Sequence, residues 1–176
     1  MAKLGGVFFG AMLLAIPVQG SADALTVSAK GRIDPACSIS VQTPFPAADF
    51  ANAGSAPGSA VLDCNTGFVL KATSANGAVT STSAVSTGFT SSLNYKLRLI
   101  LTLGDTVLTA VCNSRALVAG NSSCALSPGG AGLGSGGKPA FHRTAALQLA
   151  WTPPIQPRLV AGSYHDTLTI TVAAAP

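Results

Sequence analysis

The chain has 176 residues, of which only 9% are charged, with ten Lys and Arg against six Asp, no Glu and a formal net charge of +4. The basic residues are scattered, which excludes the clustered basic face of a nucleic-acid binder. Residues 25–176 fit one domain and are enough to bury a real core.

The amino terminus carries the three parts of an export signal. Lys3 is the positive start, Val7–Ile16 is a short apolar core, and Ala22-Asp23-Ala24 offers the small-x-small pattern read by a signal peptidase. That apolar core is too short for a permanent membrane span. Residues 1–24 are therefore expected to be a signal peptide, cleaved after Ala24. The mature chain is expected to be soluble, exported through the periplasm, and located on the cell surface or outside the cell.

Beyond the cleavage point, alternation with period two dominates and helical periodicity is almost absent. Leu25, Val27, Ala29, Gly31 and Ile33 share one face, and Thr26, Ser28, Lys30, Arg32 and Asp34 share the other. Cys37, Ile39 and Val41 have one parity, and so do Ala60, Leu62 and Cys64. Thr43 to Gly58, rich in Pro, Ala and Gly, is predicted as a loop. A short strand is predicted around Phe68, Leu70 and Ala72. Leu93, Tyr95, Leu97, Leu99 and Leu101 line the apolar side of the clearest strand. A turn at Gly104-Asp105 leads into a return strand over Thr106–Cys112. Leu126 to Pro139 reads as a flexible, Gly-rich loop. Two further strands follow, one through Ala145, Leu147, Leu149 and Trp151, the last from Tyr164 to Val172. About seven short strands without helices predict an all-β, immunoglobulin-like β-sandwich.

Four cysteines follow the signal: Cys37, Cys64, Cys112 and Cys124. An even count in an exported chain implies two disulfides with three possible connectivities. Cys37 and Cys64 both fall on apolar strand faces, as an interior staple requires, and the sequence-local pairs Cys37–Cys64 and Cys112–Cys124 are expected. No Cys-x-x-Cys pair is present and both histidines are remote in sequence, so no metal site is expected.

Catalytic patterns fare no better. Gly132, Gly137 and Lys138 imitate a phosphate-binding loop, but Pro139 stands where a Ser or Thr must hold magnesium. There is no Gly-x-Ser-x-Gly elbow. His165 and Asp166 are neighbours on a predicted strand and so point to opposite faces. Asn121-Ser122-Ser123 matches a glycosylation sequon, a pattern common by chance. The expectation is a protein with no active site and no cofactor.

The carboxy-terminal run Gly162-Ser163-Tyr164-His165-Asp166-Thr167-Leu168-Thr169-Ile170-Thr171-Val172 resembles the signature of spore coat protein U-like domains, which are similar to subunits of archaic chaperone–usher pili. Cys37, Cys64 and Leu93-x-Tyr95-x-Leu97 support it. The resemblance implies a sandwich that lacks its final strand. Residues 37–176 would be the pilin-like domain and residues 25–36 an amino-terminal donor strand that fills a neighbour's groove by β-augmentation. Leu25, Val27, Ala29, Gly31 and Ile33 would be its inward face. Gly162, Tyr164, Asp166, Leu168, Ile170 and Val172 would lie on the carboxy-terminal edge strand. The implied partners are a periplasmic chaperone, an outer-membrane usher, and copies of the chain or sibling subunits. Burying the donor's apolar side chains would be worth about 5–8 kcal/mol as an upper bound. The competing expectation is a free-standing secreted coat protein or adhesive binding module with a complete sandwich, in which Leu25–Ile33 pairs within its own domain.

Overall fold

The computed structural model describes residues 28–175. The chain divides into two units, Met1–Ile33 and Asp34–Pro176. Of the first, residues 28–33 are described; they form no strand or helix and are exposed, Ile33 at 87%. The predicted signal peptide and the donor-strand residues Leu25 and Val27 lie outside the described residues.

The second unit is an all-β sandwich. Its strands are β1 (Cys37–Thr43), β2 (Gly54–Cys64), β3 (Phe68–Ser74), β4 (Val79–Thr80), β5 (Phe89–Thr90) and β6 (Ser92–Leu93). They continue with β7 (Tyr95–Leu103), β8 (Thr106–Asn113), β9 (Leu133–Gly134), β10 (Ala140–Trp151), β11 (Arg158–Leu159) and β12 (Leu168–Ala174). One layer has the order β1-β2-β10-β7-β8, and the facing layer is β12-β3-β9. Both layers are antiparallel throughout. Among the described residues no helix is long and apolar enough to cross a membrane.

Alternation builds the core. Tyr95, Leu97, Leu99, Leu101 and Leu103 of β7 are buried, while Lys96, Arg98 and Thr102 between them are exposed. The four leucines meet Phe68, Leu70 and Ala72 of β3 across the layers, and Leu62, Ala145 and Leu147 flank them in their own layer. Each such leucine contributes roughly 1.5–3 kcal/mol by leaving water. Cys37 and Cys64 are direct register partners on β1 and β2 and are disulfide-bonded, as are Cys112 and Cys124. Both expected pairs are therefore present.

Three sequence expectations need correction. First, Gly54–Gly58, predicted as loop, belongs to β2. Its glycines are there for close packing: a Cβ on Gly54 would stand 2.8 Å from the Trp151 ring, and one on Gly58 would stand 2.8 Å from the Phe45 ring. Pro57 is tolerated because β1 pairs with β2 only from Ser59 onward, so the missing N–H has no β1 partner to lose.

Second, the Gly-rich segment is not merely a flexible loop. Leu133 and Gly134 pair with Leu70 and Val69, covering the edge of β3 that faces away from β12. Phe68 N donates to Ser135 Oγ and Ser135 N to Phe68 O, both at 2.9 Å. Further back, Ala72 N donates to Leu126 O at 2.8 Å, and Leu126 is fully buried. Gly132 turns this segment at φ +87°, where a side chain would collide with Val69 and stand 3.0 Å from the Leu70 carbonyl oxygen. Gly132→Ala is expected to cost about 1–3 kcal/mol, read from the urea midpoint at unchanged slope. A midpoint equal to wild type would mean that β9 does not guard this edge.

Third, the last strand begins at Leu168, not Tyr164. Gly162, Tyr164 and Asp166 precede it and do other work, described below.

Candidate functional site

The two sides of the sandwich are closed differently. On one side the chain runs from β8 through a 3-10 turn at Ser114–Leu117 and the Cys112–Cys124 disulfide to the edge of β3 that β9 also covers. On the other, β1 is the edge of one layer and β12 the edge of the other, and neither has a second strand partner among the described residues.

Between these two edges lies a groove of about 1390 Å³. Ile39 and Val41 line it from β1, Leu168 and Ile170 from β12, and Leu147, Leu149 and Trp151 from β10 on its floor. Cys37 and Val172, one step further along, pack on the core and are not among the residues that line it. Val41 has the inward parity of Cys37 and Ile39 yet is 74% exposed. A β-branched side chain aimed at a sandwich interior and still in water marks where packing is missing.

The far end of the groove is aromatic. Phe50 packs edge-on against Trp151, centroids 5.0 Å apart, and against Tyr164 at 6.1 Å. Trp151 Nε1 donates to Asn52 O at 2.9 Å, holding the 44–53 segment against β10 beside this end. Tyr164 donates its hydroxyl proton to Val160 O at 2.8 Å. Desolvation raises its pKa above the usual phenol value.

The start of β12 is anchored by Asp166. Its Oδ2 accepts from Tyr95 OH and Ser74 Oγ, each at 2.6 Å, and its Oδ1 accepts from Asn76 N at 3.0 Å and Thr167 N at 2.9 Å. One carboxylate thus joins β7 of one layer to β3 and β12 of the other. Burial, reinforced by the hydrogen bond to Asp166, pushes the Tyr95 phenol well above its ordinary pKa.

Of the predicted edge-strand residues, Leu168 and Ile170 line the groove from β12 and Val172 packs on the core one step beyond the lining, whereas Tyr164 and Asp166 line its aromatic end from outside the strand. Gly162 lies against Ser81 and Ser83. Of the predicted donor residues, Ala29, Gly31 and Ile33 are exposed. Val41, Phe45, Phe50 and Trp151 were not singled out as site residues. The one signal for the phenylalanines was two large apolar side chains inside an Ala/Pro-rich stretch. His165 uses its backbone to bridge Thr80, and Asp166 is committed to its four donors.

Comparison with known proteins returned no matching family model, no matching curated protein and no matching solved structure.

Proposed function

We propose that the protein is a structural subunit of a secreted fibre, polymerised head to tail by donor-strand exchange, with Leu25–Ile33 of one copy filling the groove of the next. The observation that carries this reading is the apolar groove between the unpaired edges of β1 and β12, with Val41 inward-facing and exposed. Such a groove matches an alternating strand in two ways. Backbone groups on the open edge of β12 supply a ladder worth roughly 1 kcal/mol per bond, and alternate side chains enter the space above Leu147 and Leu149. Residues 28–33 form no strand of their own, which suits an arm held for another molecule. The contact is heterologous and does not close, so it propagates as a filament. Before assembly the same groove would need a chaperone, and export of the polymer an usher. On this reading the chain is not an enzyme and takes no cofactor.

The test is to express residues 37–176 alone, and again with Leu25–Asp34 appended after the carboxy terminus through a flexible linker. The truncated domain is expected to be unstable or aggregating, and the appended strand to rescue it as a monomer with a higher melting temperature. A truncated domain that folds cooperatively and stays monomeric by itself would establish a complete sandwich, the coat-protein or binding-module alternative.

A further inference from the structure

The segment joining the arm to its own sandwich is short and held. Only Asp34, Pro35 and Ala36 separate Ile33 from Cys37, the first residue of β1. Asn65, in the β2–β3 turn, grips that segment with three hydrogen bonds. Its Oδ1 accepts from Ala36 N at 2.8 Å, its Nδ2 donates to Asp34 O at 2.9 Å, and its N donates to Ala36 O at 3.1 Å. From Ile33 to Cys37 the chain can span no more than about 14 Å even fully extended.

That length has a consequence for any groove the arm enters. The chain must leave the groove and begin a whole second domain within those few residues, so the two domains touch. The exit is taken at the aromatic end, because the lining extends there to Trp151, Ile155 and Tyr164 and stops at Ile39 and Ile170 on the other side. An arm whose carboxy-terminal end leaves there runs antiparallel to β12, the slightly more stable pairing. Each end of the sandwich also carries a large apolar side chain in water. Ile155, at the aromatic end of the groove, is 90% exposed, and Phe141, beside the Cys64–Asn65 end, is 66% exposed. Phe141 is the second residue of β10, and Ile155 lies four residues past its other end.

We propose that Asn65 is the positioning residue of an inter-subunit joint, and that successive copies abut through the Phe141 end of one and the Ile155 end of the next. This rests on the donor-strand reading and adds a second, non-strand contact between neighbours. Asn65 holds the backbone of Asp34 and Ala36, the residues that would link one domain to the next, and the same Phe141–Ile155 contact repeats at every step of the fibre.

The experiment uses the full chain carrying Phe141→Cys and Ile155→Cys together. All four native cysteines are disulfide-bonded, so the introduced thiols are the reactive ones. Polymer is treated with a flexible bis-maleimide and boiled in detergent. A covalent ladder from the double variant, with no ladder from either single variant, is expected. Adding Asn65→Ala is expected to lower ladder yield several-fold while heat-sensitive polymer persists, with Asn65→Asp intermediate, since it keeps the bond from Ala36 N and loses the one to Asp34 O. Polymer that gives no ladder overturns the joint and leaves the groove reading standing. Dimers from Phe141→Cys alone overturn the antiparallel exit. Failure of the wild-type chain to form any heat-sensitive polymer overturns the donor-strand reading itself.

Discussion

Val41→Asp is expected to abolish polymer while leaving the domain folded. Val41 is 74% exposed in the isolated sandwich, so an aspartate there meets water and should change stability by no more than about 0.5 kcal/mol. Once a strand lies over the groove, the same carboxylate is trapped among the apolar lining residues Ile39, Leu168 and Ile170, and Arg158 is the one Lys or Arg among the lining residues. Burying an unpaired charge costs several kcal/mol, which corresponds to a loss of at least about 100-fold in donor affinity. The measurement is the fraction of heat-sensitive oligomer on unboiled detergent gels, with urea midpoints run in parallel. Val111→Asp is the matched control: it is 57% exposed on β8, far from the groove, and should assemble normally. Wild-type polymer from Val41→Asp would remove the groove from the mechanism.

Asp166→Ala is expected to give a large loss of stability among the polar positions, about 2–4 kcal/mol, because four donors lose a charged acceptor at once. Asp166→Asn should cost less, since its carbonyl oxygen still accepts from one pair of donors. Tyr95→Phe should cost less again. The alkaline limb supplies an independent readout. The phenol of Tyr95 has its pKa raised in the folded state, so folded protein holds a proton that unfolded chain gives up above the ordinary tyrosine value. Stability is then constant below about pH 10 and falls as pH rises through and beyond that value. In Tyr95→Phe the fall should be shallower, with Tyr164, also raised, supplying part of what remains. Identical alkaline limbs for Tyr95→Phe and wild type would show that Tyr95 is not the buried, Asp166-bonded phenol of this structure. Because Asp166 anchors the first residues of β12, its loss should also weaken donor binding in proportion.

Much of this was legible in the residues. Period-two alternation from Leu93 to Leu101 placed the buried face of β7 correctly, because on a pleated strand parity alone decides which side a residue faces. Cysteine parity anticipated the Cys37–Cys64 staple for the same reason. The errors came where a partner outside the local window set the conformation. Gly54, Pro57 and Gly58 look like loop until Trp151 and Phe45 are seen lying on the glycines. The Gly-rich segment looks slack until β9 is seen against β3. Tyr164 and Asp166 continue the alternation of the last strand, yet each is drawn out of it by a bond made elsewhere, Tyr164 to Val160 and Asp166 to Tyr95, Ser74 and Asn76.

The sequence by itself determined the class of the fold, the inward parity of Cys37 and Cys64 and the inward faces of the long strands. All of these follow from side-chain parity and burial, which are local properties of the chain. Only the tertiary structure decided which edges pair and which stay open. Edge pairing depends on where the two layers end relative to each other, through contacts between residues far apart in the chain. That decision covers β3 with the segment around Leu133, closes the β8 side through the Cys112–Cys124 loop, and leaves Val41 facing inward, in water, between β1 and β12.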